Sequence, residues 1–290
     1  LSEQPEQERH RLPDANDVVR FYIGLLIVLI LSSGFIVLGL DALGLTPDDQ
    51  LFVAIASVLQ GTITVGVIAL IVKTRNLDWR RSLRLLPCSP KTIILACIGI
   101  IPLGILVSQF AEVLVQIFPT LLSQNLLDLV ALSAFGNPAI FLVFVLALSF
   151  APGITEELAF RGIILRGLES SISPTAAILV SAFVFALFHL DPLHIIMAFP
   201  AGIFFGYLVI RTGSIFPAIA AHIFNNIWAP IESAVWQASS TTLGPAEVLF
   251  GGGYAPWTIA VVTGIFIAAL YFLHQEPDDE THGKDDGGII

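Results

Sequence analysis

Charge is what this sequence has least of. Only 12% of its 290 residues are Asp, Glu, Lys or Arg, against about 25% in soluble domains. A soluble globular fold is excluded on that ground. Cysteine occurs twice, at Cys88 and Cys97, which excludes a disulfide framework. Cys97 reads as a small buried helix residue. Lysine occurs only as Lys73, Lys91 and Lys284, while arginine is used ten times. That bias, with acidic tails, is the composition of a salt-adapted or GC-rich prokaryote. No Gly-rich phosphate loop and no internal repeat is present. The first twenty residues are polar and hold no apolar core of a signal peptide.

What the chain does have is apolar length. It is 56% hydrophobic with a mean hydropathy of +0.87. This composition predicts an all-α, polytopic transmembrane bundle of about eight helices. The expected spans are 21–40, 51–72, 92–118, 138–160, 175–190, 194–210, 214–228 and 256–273. A full crossing takes about 20 residues, so the three consecutive short spans, 175–190, 194–210 and 214–228, are buried, tilted or only partly spanning. A polar tail, 1–20, precedes the bundle, 21–274. An acidic, Gly-rich tail, 275–290, follows it and reads as disordered and solvated. The 119–137 connection reads either as a short amphipathic helix on the outer surface or as an ordinary loop.

The cations orient the bundle. With both termini cytoplasmic, the inner segments are 1–20, 73–91, 161–174, 211–213 and the C-terminal tail, and all thirteen Lys and Arg residues fall in them. The outer segments, 41–50, 119–137, 191–193 and 229–255, hold none. This is the asymmetry of the positive-inside rule. Trp236, Tyr254 and Trp257 suit an outer aromatic belt, and Trp79 an inner one. The cationic loop 73–91 fixes topology and touches anionic lipid rather than nucleic acid.

Ionisable groups inside a membrane cost roughly 2.5–3.5 kcal/mol each on insertion scales. Glu156, Glu157 and Arg161 nevertheless sit within six residues at the end of an apolar run. Glu157 and Arg161 stand at i, i+4 with the acid first, the order that favours an ion pair. Glu156 projects about 100° away and lacks that partner. The pair therefore divides into one structural and one reactive carboxylate, the reactive one suited to a general base. Phe185 and His189 share one helix face, as do His222 and Asn226. The turn near Pro174 lies midway between Glu156 and His189, so an antiparallel hairpin brings them to one depth, provided the fourth helix runs to about Glu169. The whole set is expected to converge in the inner half to the middle of the bilayer. Asn225, Asp191 and His194 carry less weight. Asp191-Pro192 reads as a helix end at an outer turn, with His194 beside it.

Glu-Glu-xxx-Arg, Phe-xxx-His and His-xxx-Asn, each on its own apolar helix, resemble the CPBP family of intramembrane proteases, which includes the CAAX prenyl endopeptidases. The resemblance covers residues 138–230. It implies an endopeptidase in which Glu156 and His189 activate water, His222 and Asn226 stabilise the oxyanion, and Glu157 and Arg161 form a supporting ion pair. It implies a peptide or membrane-anchored protein substrate. With the topology and composition above, the expected place is a site below the inner face of a multi-pass prokaryotic plasma-membrane protein, with no nucleic-acid partner. Family members are labelled metal-dependent, and Glu156, His189 and His222 are the candidate ligands of a zinc ion. A metal-free mechanism using the same residues stands beside it. Two other classes fit the polar groups: an idle bacteriocin-immunity or scaffold protein, and a proton-coupled transporter. The paired broken helices of transporters are not seen.

Overall fold

The structure is a computed structural model that describes residues 11–239 and 254–276. Residues 1–10 and 277–290 of the two expected tails lie outside the described residues, as does much of the 229–255 loop. Helix α1 (Ala15–Asp41) starts inside the segment read as a polar tail, because Asp14 and Asp17 form a reciprocal capping box there. Then follow α2 (Gln50–Thr74), α3 (Trp79–Ser82), α4 (Pro90–Ile117), α5 (Gln124–Leu132) and α6 (Pro138–Glu157). A π-helical segment, Leu158–Ile164, joins α6 to α7 (Leu165–Leu168). The remaining described helices are α8 (Pro174–Leu187), α9 (Pro192–Thr212), α10 (Phe216–Ser239) and α11 (Pro256–Gln275).

The polytopic helical bundle is as expected. Among the described residues, six helices are long and apolar enough to cross a membrane: α1, α2, α4, α6 with its continuation to Leu168, α9 and α11. Of the three spans read as short, only α8 stays short, at 14 residues. Helix α9 has 21 residues and α10 has 24. The extra turns of α10 carry Pro230 and Glu232, which mimic a loop in sequence. Its polar side chains also keep it out of the apolar six. The fourth helix reaches Leu168, as the hairpin argument required. The 119–137 connection holds α5, with Leu126 and Val130 buried against the bundle.

The two ends of the bundle differ in charge. At one end, Asp17 pairs with Arg11 at 2.6 Å and with Arg75 at 2.8 Å. Arg84 pairs with Glu169, and Lys91 with Glu276 at 2.5 Å. Burial pushes the Arg84 guanidinium down to about 10, although Glu169 pulls it upward. Arg211 donates to the carbonyls of His274 and Glu276. At the other end, Gln50 donates to the Leu132 carbonyl at 2.6 Å, and Gln237 to the Val130 carbonyl at 3.1 Å. These cross-links show that consecutive long helices alternate in direction.

Candidate active site

Close backbone approach builds the site. Gly153 on α6 lies against Ile223 on α10. A Cβ there would fall 2.6 Å from Ile223 Cγ1 and 3.2 Å from its backbone nitrogen. The missing side chain lets Glu156 and Glu157 reach His222. Gly153→Ala is expected to cost about 1–3 kcal/mol through overpacking, and to lower turnover by separating these groups. Thermal melting and initial rates measured on the same preparation check both effects. A variant that melts and works like the parent would show that the approach is not needed.

Glu157 and Arg161 are both fully buried and pair at 2.9 Å, as their spacing predicts. Arg161 also donates to the Gly202 carbonyl at 3.0 Å. Its guanidinium lies 4.5 Å from the ring centroid of Phe185 and 5.2 Å from that of Phe205. These aromatic faces stabilise a cation removed from water. Phe185 therefore links the motifs, since its ring also meets His189 edge-on at 5.2 Å and His222 at 5.9 Å.

His222 stacks on Phe205 at 4.9 Å. Its Nδ1–H donates to Glu157 Oε1 at 2.8 Å, because a carboxylate can only accept. The sequence did not reveal this bond, which joins residues 65 positions apart. It makes Glu157 a shared partner of Arg161 and His222. It also fixes the imidazole so that Nε2 faces Glu156, 3.8 Å from Oε2. Glu156 keeps about a third of its side chain exposed, and lines a cavity of about 430 Å³.

His189, His194 and Asn226 line the same cavity. His189 Nδ1–H donates to the Ala186 carbonyl at 3.3 Å, leaving Nε2 as an acceptor. Asn226 has a task that its motif does not show. Pro152 has no N–H for the Leu148 carbonyl four residues back, and the Asn226 amide donates to that carbonyl at 3.2 Å. One amide hydrogen is thus engaged in the helix contact and the second remains for other partners. His194, set aside in the sequence, sits with its ring 4.2 Å from that of His189. Asp191 caps α9 by accepting from the His194 N–H at 2.9 Å. The available signal was this cap: it begins a helix two residues after His189 and places His194 on its first turn. Asn225 and Glu232 also line the cavity.

The direction in which the cavity runs differs from expectation. Gly61, near the middle of α2, faces Ala151 and Thr155 of α6, which puts Glu156 at mid-bundle. The cavity runs from there past Phe144 and Leu148 to Leu126, Leu129 and Ser133. It therefore lies on the side of the cation-free end, not of the cationic end where the inner face was expected. The π-helical segment directly after Glu157 belongs to a class of distortion frequent at functional sites.

The candidate zinc ligands Glu156, His189 and His222 share this cavity. Yet among the described residues no three His, Cys, Asp or Glu side chains are grouped to hold a metal ion. The residues as arranged do not fit a zinc site.

Residues 138–228 match the family model of the type II CAAX prenyl endopeptidase Rce1-like proteins. That stretch is less than half of the chain. It contains Glu156, Glu157, Arg161, Phe185, His189, His222 and Asn226, and it supports the CPBP/CAAX protease family recognised from the motifs. No curated protein and no solved structure matches the chain.

Proposed function

We propose, from the premise that residues 138–228 carry the CAAX-protease type of membrane-embedded core, that this protein is an intramembrane endopeptidase working through a water activated by Glu156 and His189. The observation that carries the proposal is the facing pair at the buried end of the cavity, Glu156 Oε2 and His222 Nε2, 3.8 Å apart. A water between them touches a carboxylate able to take its proton. His189, with Nδ1–H held by the Ala186 carbonyl, offers Nε2 to the same task. General base action of this kind contributes about 10²–10⁴ in rate.

His222 has the opposite role. Its protonated ring presents Nε2–H to the tetrahedral oxyanion, while Glu157 accepts from Nδ1 and balances the charge. The free amide hydrogen of Asn226 adds a second donor. One such donor is worth about 10²–10³ in rate. The leaving amine recovers the proton that Glu156 took from water. The substrate is a peptide or a membrane-anchored protein.

The test uses purified protein in liposomes and a pool of internally quenched apolar peptides. Cleavage that disappears in Glu156→Gln and persists in part in His222→Gln is expected, because glutamine still offers an N–H. A chelator is expected to leave the rate unchanged. Stoichiometric zinc, lost together with all activity in His222→Gln, would replace the metal-free mechanism with a metal-dependent one. An idle scaffold or immunity protein would cleave no peptide of the pool in either form.

A further inference from the structure

We propose that the polypeptide cut here reaches Glu156 and His222 from the cation-free end of the bundle, and that it is an apolar segment with no carboxylate near the scissile bond. The proposal rests on the hydrolase reading above. Three observations carry it.

The cationic end is closed. The segment after α3 folds over it: the Ile215 N–H donates to the Arg84 carbonyl at 3.0 Å, and the Ser214 hydroxyl to the Leu86 carbonyl at 2.6 Å. Leu83 is buried against Gly162, where a Cβ would fall 2.8 Å from Leu83 Cδ2. Arg84, paired with Glu169, is 5% exposed. Behind this layer lie Glu157 and Arg161, with no exposed surface.

The cavity extends the other way. From Glu156 and His222 it follows α6, α10 and α4 to Leu129 and Val130 of α5 and to Ser133 and Ser233. That is the end where Gln50 and Gln237 tie α2 and α10 to the same α5 segment. A volume of about 430 Å³ suits a short extended stretch of chain and not a folded domain.

Among the described residues the lining includes the carboxyl groups of Glu156 and Glu232 and no Lys or Arg. The one cation of the proposed mechanism there, the His222 imidazolium, is already balanced by Glu157. Most of the rest is apolar, such as Leu103, Val107, Leu129 and Met197. A free C-terminal carboxylate finds no unbalanced cation among those residues and meets like charge. The positive-inside rule puts the cationic end in the cytoplasm, so the accessible end faces the non-cytoplasmic side. A cytosolic chain offering a free carboxylate, as a prenylated CAAX substrate does, is disfavoured on both grounds.

The experiment uses full-length protein with Cys88→Ser and Cys97→Ala, and one new cysteine at a time. Ala201→Cys and Ser108→Cys report the cavity. Asp48→Cys and Ser171→Cys mark the cation-free and cationic ends. A small, membrane-impermeant cationic methanethiosulfonate is applied to intact cells and to inverted vesicles. The cavity cysteines are expected to react from the face that labels Asp48→Cys, the outside of intact cells, and to lose labelling from the face that labels Ser171→Cys. Labelling from the other face, from both or from neither overturns the route. In proteoliposomes, a quenched apolar peptide with an amidated C-terminus is expected to be cut faster than the same peptide with a free acid. Equal or reversed rates overturn the substrate class. If neither peptide is cut but the cavity labels from the Asp48 face, the hydrolase reading and the substrate class fail together while the route stands. If peptides are cut while the cavity labels from the Ser171 face, the route fails and the hydrolase stands.

Discussion

Glu156→Gln is expected to reduce peptide hydrolysis by about 10²–10⁴-fold, the range for loss of a general base, while the protein melts where the parent does. The structure separates these two readouts. Glu156 makes no hydrogen bond within 3.5 Å to another described side chain, and its nearest charged partner is His222 Nε2 at 3.8 Å. Glutamine keeps its volume and leaves the packing of α6 against α10 intact. What it loses is the ability to take a proton. The measurement is a melting curve beside initial rates on one liposome preparation. Full activity in the variant would remove Glu156 from the chemistry, and a collapsed melting temperature would make it a structural residue.

The second large effect concerns the neighbouring carboxylate. Glu157→Met leaves the buried guanidinium of Arg161 without its charge partner, and Arg161→Met strands Glu157 in the same way. Breaking one member of a buried pair costs roughly 3–5 kcal/mol, so each single variant is expected to melt well below the parent. Replacing both with Met removes the uncompensated charge and is expected to restore most of the stability, because apolar replacements of buried pairs are often neutral or better. Activity is not expected to return with it. Methionine cannot accept the Nδ1–H bond that His222 makes to Glu157, so the imidazole loses the contact that aims Nε2 at Glu156. A stable, folded and inactive double variant is the signature of Glu157 as a positioning residue. Recovery of both stability and rate would show that the Glu157–His222 bond is dispensable.

The two glutamates also show what was legible in advance. Their division rests on a single helix, where the 100° step between neighbours and the i, i+4 spacing to Arg161 are fixed by backbone geometry. The antiparallel hairpin was legible for a similar reason, since equal counts of residues on either side of a turn give equal depth. The lengths of α9 and α10 were not legible. Pro230 lies inside α10, and in sequence an intrahelical proline resembles a boundary. Helix α9 extends beyond its expected ends through Pro192 and Arg211, which in sequence belong to the flanking turns. His194 was passed over because an Asp-Pro cap reads as the end of one helix, although it equally starts the next.

By itself the sequence determined that this chain is a helical membrane bundle, which end is cationic, and which polar side chains its helices carry into the interior. Each follows from composition or from spacing along one helix, where local geometry leaves few choices. The tertiary structure alone decided that Glu157 holds His222, that Asn226 covers the carbonyl freed by Pro152, and that the cavity extends to the cation-free end. Each of these depends on how closely two helices approach, and that distance is set by Gly153 against Ile223 and by the packing of Phe185, Phe205 and Arg161. Contacts between residues 65 or 78 positions apart have no period in the sequence, so only the assembled bundle can bring them together.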